Sequence, residues 1–471
     1  MNRAKALNLT LAMGLTLDIA GALHVYGLAD AKGINREIIT ATILLVIAAL
    51  WLLIKPISDD TIEEPAPLWL AILPAVAVML SISDIMTYVS PGWSPLRLVL
   101  FGGGSLLLLG LALRRAPPPA IVFVAFVFGC ILRYINMRHI PIEPTRGDML
   151  PLVQQAITNL FQGRDPYTTY FMPWELPLTY LPLTWLAYAP ARMMGLDIRW
   201  TNIPAEVAVL AAIVFVSRQS RNRATRDAGI LLWAWLFLSP TVMHWDLFTS
   251  APIGWAAIAW TLALVTTSRH GPAVMVLGIA AATTPLIVVF GPLIALCWWH
   301  ADGLAEAVRR IALAMLLAAA LLLPWFLWDP GPFLDGVVRW FNDLNRFPRM
   351  KWQTEQSWTQ ITGFSGLFWQ QGKEQWLKPI QIAVVLLVTT VYAIRRGHPA
   401  DLNRHATAAF LLFMLFNPVL WPYLYNPALV AALLAVAGAG LLEPIPSTTR
   451  TMLPSPAMQM SGGKVFPGPA D

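Results

Sequence analysis

The sequence predicts an all-α polytopic membrane protein, and three observations predict it. Of its 471 residues, 57% are hydrophobic and only 12% are charged, against about 25% charged in an ordinary soluble domain. Apolar runs of membrane-spanning length recur from one end of the chain to the other. The runs are continuous and do not alternate with period two, which excludes a transmembrane barrel. The net charge of +6 sits in the short loops between runs. It therefore bears on orientation and on lipid phosphates, and no nucleic-acid partner is expected. Cys130 and Cys297 lie inside apolar runs and read as small buried hydrophobes.

The elements follow in order. About fourteen (13–14) spans are expected. Five lie at 7–28, 38–54, 67–89, 97–113 and 119–138. Nine more lie at 200–217, 228–244, 250–267, 272–284, 286–300, 308–328, 378–394, 405–421 and 425–442. The pair at 272–300 is short and broken at Pro285, the pattern of a tight hairpin that barely crosses. Arg3 and Lys5 before the first run mimic a signal peptide. Its length, with Asp18 and His24 inside it, fits an uncleaved anchor better.

Arginines in the short loops set the orientation. Arg114, Arg115, Arg218, Arg221, Arg223, Arg226, Arg269, Arg309, Arg310, Arg395, Arg396 and Arg404 fall on one side, read as the cytoplasm. The opposite loops "HWD" (244–246) and "PYLYNP" (422–427) have no Lys or Arg. Both termini are then cytoplasmic, and residues 443–471 form a cytoplasmic tail, read as disordered. Two long segments, 139–199 and 329–377, lie outside. Neither has a strand pattern, and both read as lid-and-groove segments with interfacial helices on the outer leaflet.

The charge gathered in "IEPTRGDMLPLVQQAITNLFQGRDPY" (142–167) is the sharpest local feature. Met149, Leu150, Leu152, Val153, Ala156, Ile157, Leu160 and Phe161 make a helical apolar stripe with Gln154, Gln155, Thr158 and Asn159 opposite. This reads as a short amphipathic helix in the interface. Pro151 sits in its first turn and Gly163 ends it. Asp148 stands just before it, as an N-cap worth about 1 kcal/mol, as a general base, or as both. A helix N-terminus favours the ionised carboxylate that a base must offer.

These pieces, in this order, resemble the GT-C superfamily of membrane glycosyltransferases, and most nearly glycosyltransferase family 87. That family holds polyprenyl-phosphate-mannose-dependent mannosyltransferases. The resemblance rests on the Asp of the first external segment, the amphipathic helix, "GRDPY" and "PWELPLTYLPLTWLAYAP". It continues through "LSPTVMHWDLFTSAP", "GIAAATTPLIVVFGP", "PWFLWDPGPFLDGVVRW" and "NPVLWPYLYNPAL". It covers about 139–442; the catalytic membrane module it implies runs over 119–442, and residues 1–118 form a four-span region outside the common module. Thr284 stands where the family usually has Lys.

The resemblance implies transfer of mannose or another sugar from a polyprenyl-phosphate carrier to a hydroxyl of a lipid, glycan or protein. The work would be done at the outer face of the cell membrane, on a cell-envelope glycan. Asp148 would be the base. Arg146, Arg346, Arg349 and Lys351, with Arg339 nearby, suit the departing phosphate; the basic run equally suits anchoring to anionic headgroups. Trp340, Trp352, Trp358, Trp369 and Trp376 crowd the same segment, as interfacial anchors or sugar-stacking rings. Tyr167, Tyr423, Tyr425 and Asn426 are candidates for the acceptor side, the last three alternatively a proline-interrupted helix turn. Asp246 reads as a second acceptor-side carboxylate. His244 beside it makes only two ligands, too few for a metal site; no cofactor or metal is expected.

The competing class is a transporter or flippase for a lipid-linked or small polar substrate. Its internal repeats and midspan charges on broken helices are not evident. Asp18 and His24 are ionisable groups within a span and need a partner, such as Asp84. A structural scaffold would not need charged external segments. Gly102-Gly103-Gly104 has no preceding strand and forms no phosphate loop.

Overall fold

A computed structural model describes residues 36–54, 68–86, 94–144, 147–172, 175–219, 223–342, 363–395, 397–418 and 422–438. The first helices are α1 (Arg36–Ile54), α2 (Leu68–Met86), α3 (Ser94–Leu113) and α4 (Pro118–His139). The segment after them holds α5 (Met149–Phe161), strands β1 (Thr169–Phe171) and β2 (Glu175–Pro177), and the short helices α6 (Pro182–Leu186) and α7 (Ala189–Met193). Then come α8 (Asn202–Ser217), α9 (Arg223–Leu238), α10 (Pro240–Phe248), α11 (Ala251–Thr266), α12 (His270–Ala281), α13 (Gly291–Asp302) and α14 (Leu304–Trp328). A second segment holds α15 (Pro330–Leu334), a π-helical turn (Asp335–Arg339), α16 (Trp340–Asn342) and α17 (Ser365–Gln370). The chain continues with α18 (Leu377–Ile394), α19 (Pro399–Leu415) and α20 (Asn426–Ala437).

Each expected apolar segment that falls within the described residues overlaps helical structure. The first, 7–28, with Asp18 and His24, lies outside them, as does the tail 443–471. Among the described residues, four helical stretches are long and apolar enough to cross a membrane: Pro118–His139, Ile198–Ser217, Leu304–Trp328 and Glu374–Ile394. Large apolar side chains on α14, among them Val308, Leu316, Leu323 and Leu327, are exposed. Such a belt is at home in hydrocarbon, where burial against protein is not what keeps it from water.

Two expected boundaries move. The run expected at 228–244 is instead α9 and α10, broken at Ser239 before Pro240, because the residue before a proline avoids helical geometry. The run expected at 405–421 is the helix 399–415. Pro399 opens it, the His398 ring accepts a hydrogen bond from the Ala400 N–H, and the chain leaves helix before Pro418. Polar Asn403 and Arg404 are thus drawn inside a buried helix, which hydropathy alone excludes from the span.

The core centres on α20, buried along all twelve residues and surrounded by α8, α9, α11 and α19. A helix apolar on all faces is an interior helix. The region before residue 118 packs onto this core: α1 lies on α19 and α2 on α9. Thr42 of α1 accepts a hydrogen bond from the Gly363 N–H. The short pair is two twelve-residue helices joined by a 3-10 turn at Pro285–Val289, with the Thr284 hydroxyl capping Leu286 N–H. Each helix is about 18 Å long, short of a hydrocarbon core of about 30 Å.

The chain's reversals sort the turns between two ends of the bundle. At one end His270, Asp302, Glu306, Arg309 and Arg310 form an ion-pair network, and Gly397 lies against the His300 ring. The other end carries the segment from Ile140 to Arg199.

That segment is a small folded cap rather than a loop. The helix α5 buries Leu150, Leu152, Val153, Ala156 and Ile157 against Tyr167, Tyr170, Leu176, Trp185 and Phe333. Most of the stripe expected to lie in the membrane interface is thus covered by the chain itself, while Phe161 at its end stays exposed. Gly163, with φ of 69°, closes the helix as expected, with Arg164 N–H donating to Asn159 O and Gly163 N–H to Leu160 O; this is a Schellman motif. A hairpin pairs Tyr170 with Leu176, although no strand was expected there. Three residues per strand are too few for alternation to register in sequence.

Candidate active site

The cap is fixed to the bundle at both of its ends. Asp197 caps the 3-10 turn Ile198–Thr201 and grips the Arg199 guanidinium. Arg199 then donates to the carbonyls of Ile140 at 2.7 Å and Met137 at 2.8 Å. These are orphan carbonyls at the C-terminus of α4, where a cation is favoured. In the middle, Thr184 donates to Thr283 O and Leu183 N–H to Ala282 O. The cap thereby sits on the break in the short pair, beside Thr284. From the second segment, Gly336 rests on the carbonyl of Leu178, which a Cβ would approach to 2.2 Å.

Asp148 lies half-buried at the seam between cap and bundle. Its backbone is already helical, with φ −79° and ψ −19°, and its side chain makes no capping hydrogen bond. The expected N-cap is therefore not formed: a capping side chain needs extended backbone to reach the N–H groups of the first turn. Gly147 packs on Phe248 at the end of α10, where a Cβ would come within 3.0 Å of the Phe248 Cβ. The Tyr423 hydroxyl reaches the Met149 sulfur at 3.3 Å. Tyr180 completes the setting. Burial, and then the neighbouring Asp148 carboxylate, push its phenol well above the ordinary range, so it stays protonated. The Asp148 carboxylate lies within electrostatic range of two tyrosines, Tyr180 from the cap and Tyr423 from the bundle.

The other expected site residues divide. Tyr167 supports the cap: its hydroxyl donates to Tyr180 O at 2.9 Å and accepts from Trp185 Nε1, and its ring meets Phe333 at 4.8 Å. Tyr425 is fully buried and bonds to Met414 O. Asp165 holds the turn after α5 by accepting from Tyr167 N–H at 2.8 Å. Asp246 and Asn426 face the bundle interior. Asp246 is fully buried, bound to Arg133 at 2.6 Å, and Arg133 also pairs with Glu206 at 2.9 Å. A second acceptor-side carboxylate needs to meet an incoming hydroxyl, and this one is committed to an ion pair two residues from the Phe248 floor. Arg146, Arg346, Arg349, Lys351, Trp352 and Trp358 and the side chain of His244 lie outside the described residues; Arg339 is exposed. No group of three or more His, Cys, Asp or Glu is placed to hold a metal among the described residues.

Tyr180, Arg133, Glu206 and Arg199 were not singled out from sequence. Arg133 and Glu206 left a signal, each being a charge within an expected span, and such charges pair or act. Tyr180 left none.

The chain matches no family model and no curated protein.

Proposed function

We propose that the chain is an integral membrane glycosyltransferase that moves a sugar from a polyprenyl-phosphate carrier to a hydroxyl acceptor, with Asp148 as general base. One observation carries the reading. A carboxylate that caps nothing stands at the head of an amphipathic helix, half-buried near two tyrosines, at a seam fastened by Arg199 and Thr184. Partial burial limits the water around a general base.

In this reading Asp148 takes the proton of the acceptor hydroxyl as its oxygen attacks the anomeric carbon. The bond from that carbon to the phosphate oxygen breaks, and polyprenyl phosphate leaves. Tyr180 and Tyr423, both protonated, donate to substrate oxygens. Arg146, Arg346, Arg349 and Lys351 are assigned to the departing phosphate from sequence alone. The exposed apolar face of α14 suits a prenyl tail. The membrane is the cell membrane, and the cap faces outward, by the arginine asymmetry of the loops.

The competing reading is a transporter, which the charges within the bundle favour. Against it, the internal repeats that such folds carry are not evident in the sequence. Purified protein incubated with radiolabelled polyprenyl-phosphate sugars and membrane extract tests the proposal. Transfer of label to an extractable acceptor is expected. No transfer from any donor in the panel, with the protein folded, rejects it.

A further inference from the structure

Arg133, Glu206 and Asp246 meet where α4, α8 and α10 converge beneath the cap, and each is less than 5% exposed. Arg133 has five N–H donors, and all are engaged. Nε donates to Asp246 Oδ2 at 2.8 Å. Nη1 donates to Phe237 O at 2.9 Å and to Gly129 O at 3.4 Å. Nη2 donates to Glu206 Oε2 at 2.9 Å and Oε1 at 3.2 Å, and meets Asp246 Oδ2 at 2.6 Å. The Phe237 ring covers the guanidinium at 4.0 Å.

That arrangement leaves a deficit. Two carboxylates share one cation, so the cluster carries a net negative charge if both are ionised. Nothing among the described residues offsets it. Packed around it, α4 brings Cys130, the cap brings Tyr188, and α9, α11 and α20 bring Trp233, Phe237, Trp255 and Asn426, none a cation. The side chains of His244 on α10 and Asp84 on α2 lie outside the described residues. Asp246 Oδ1 is buried with no hydrogen-bond partner, and the two carboxyl groups converge on one nitrogen, Arg133 Nη2, at 2.9 and 2.6 Å. Two ionised carboxylates cannot hydrogen-bond, because neither has a donor; like charges in a dry site cannot both stay ionised. A cavity of about 40 Å³ lies beside Glu206 and Asn426, its walls almost wholly apolar, and the Asn426 amide nitrogen, in a residue 6% exposed, has no partner either.

We propose that this cluster is a proton-binding site: one proton is held between Glu206 and Asp246. Asn202 links the site to the cap, donating to Asp246 O and Thr249 O while its own oxygen accepts from the Tyr188 hydroxyl. Losing the proton would leave a bare charge under the residues that seat α7 and the turn before α8. The inference does not depend on glycosyl transfer.

Infrared spectroscopy of the full-length protein in detergent at neutral pH tests it. A protonated-carboxyl C=O band that shifts in D2O is expected in the wild type, when exposed carboxyls are ionised. It should vanish in both Glu206→Gln and Asp246→Asn, because the one remaining carboxylate stays ionised: with Arg133 it makes a pair of zero net charge that needs no proton. A band surviving in either variant overturns the proposal. So does its absence from the wild type, a result that stands even if neither variant folds.

Discussion

The Tyr423 hydroxyl lies 3.3 Å from the sulfur of Met149, 274 residues earlier in the chain. That contact brings the last turn before α20 against the first residue of α5, and Asp148 is next to it. Asp148 could serve as a cap or as a base, and the two roles separate by substitution. Asn caps a helix about as well as Asp, and Ala about 1 kcal/mol worse. Because the side chain caps nothing, the Asp148→Asn and Asp148→Ala proteins should melt within about 0.5 kcal/mol of each other. Both should lose about 10²–10⁴-fold in sugar transfer, the range for a general base. Thermal unfolding and radiolabel transfer check the two halves. Near-wild-type transfer by Asp148→Asn would remove Asp148 from the chemistry.

Arg199 is expected to hold the cap shut. Its guanidinium spans the Asp197 carboxylate and two carbonyls across the gap from residue 140 to residue 199. Arg199→Met would leave a carboxylate and two carbonyls without their donor, a loss on the order of 3 kcal/mol for a broken buried pair. Arg199→Lys keeps the charge and loses the fork, so it should fall between. Limited proteolysis should cut both variants first between residues 140 and 199. Unchanged resistance in Arg199→Met would place the fastening elsewhere, in Thr184 and Gly336.

Much of this architecture is legible in sequence, for physical reasons. Long apolar runs must be helices, since their backbone groups find no other partners in hydrocarbon. The break before Pro285, the stop at Gly163 and the stripe of α5 are each set by residues a few positions apart. Partners far apart in sequence are not so legible. Arg133, Glu206 and Asp246 come from three helices, and only their meeting shows which carboxylate is spent on a cation. The fate of the α5 stripe was equally hidden: lipid and the chain's own Tyr167, Trp185 and Phe333 are equivalent covers for an apolar face. Asp148 was legible as a position. Its helical backbone, which forbids the cap, was not.

The two ends of the bundle should face opposite compartments, with the cap outside. Glu143 is exposed at the cap, and Arg309 is exposed in the ion-pair network of the opposite end. With Cys130 and Cys297 replaced, single cysteines at 143 and 309 can be challenged with an impermeant thiol reagent in intact cells. Labelling at 143 and protection at 309 are expected from the arginine asymmetry. The reverse pattern would put the Asp148 seam in the cytoplasm and remove the external-donor reading.

Asp165 supplies a pH signature for the cap. Its carboxyl is raised above the ordinary 3.8, chiefly by burial and further by the negative charge of Asp329, with the Tyr167 N–H pulling the other way. The folded state therefore holds this proton more tightly than the unfolded chain does. The stability this contributes is fully present below the unfolded value and is lost as pH rises through the folded one. At neutral pH the ionised group is a modest liability, tolerated because its oxygen orders the turn before Tyr167. Asp165→Asn keeps that acceptor and has no charge to desolvate. The melting temperature of Asp165→Asn relative to wild type should rise as pH climbs from about 3 through the ordinary carboxylate range, then level off. Sugar transfer should be largely retained, unlike in Asp148→Asn. A difference that stays flat with pH would mean that the Asp165 carboxyl titrates alike in the folded and unfolded chain, and that the turn gains nothing from its removal.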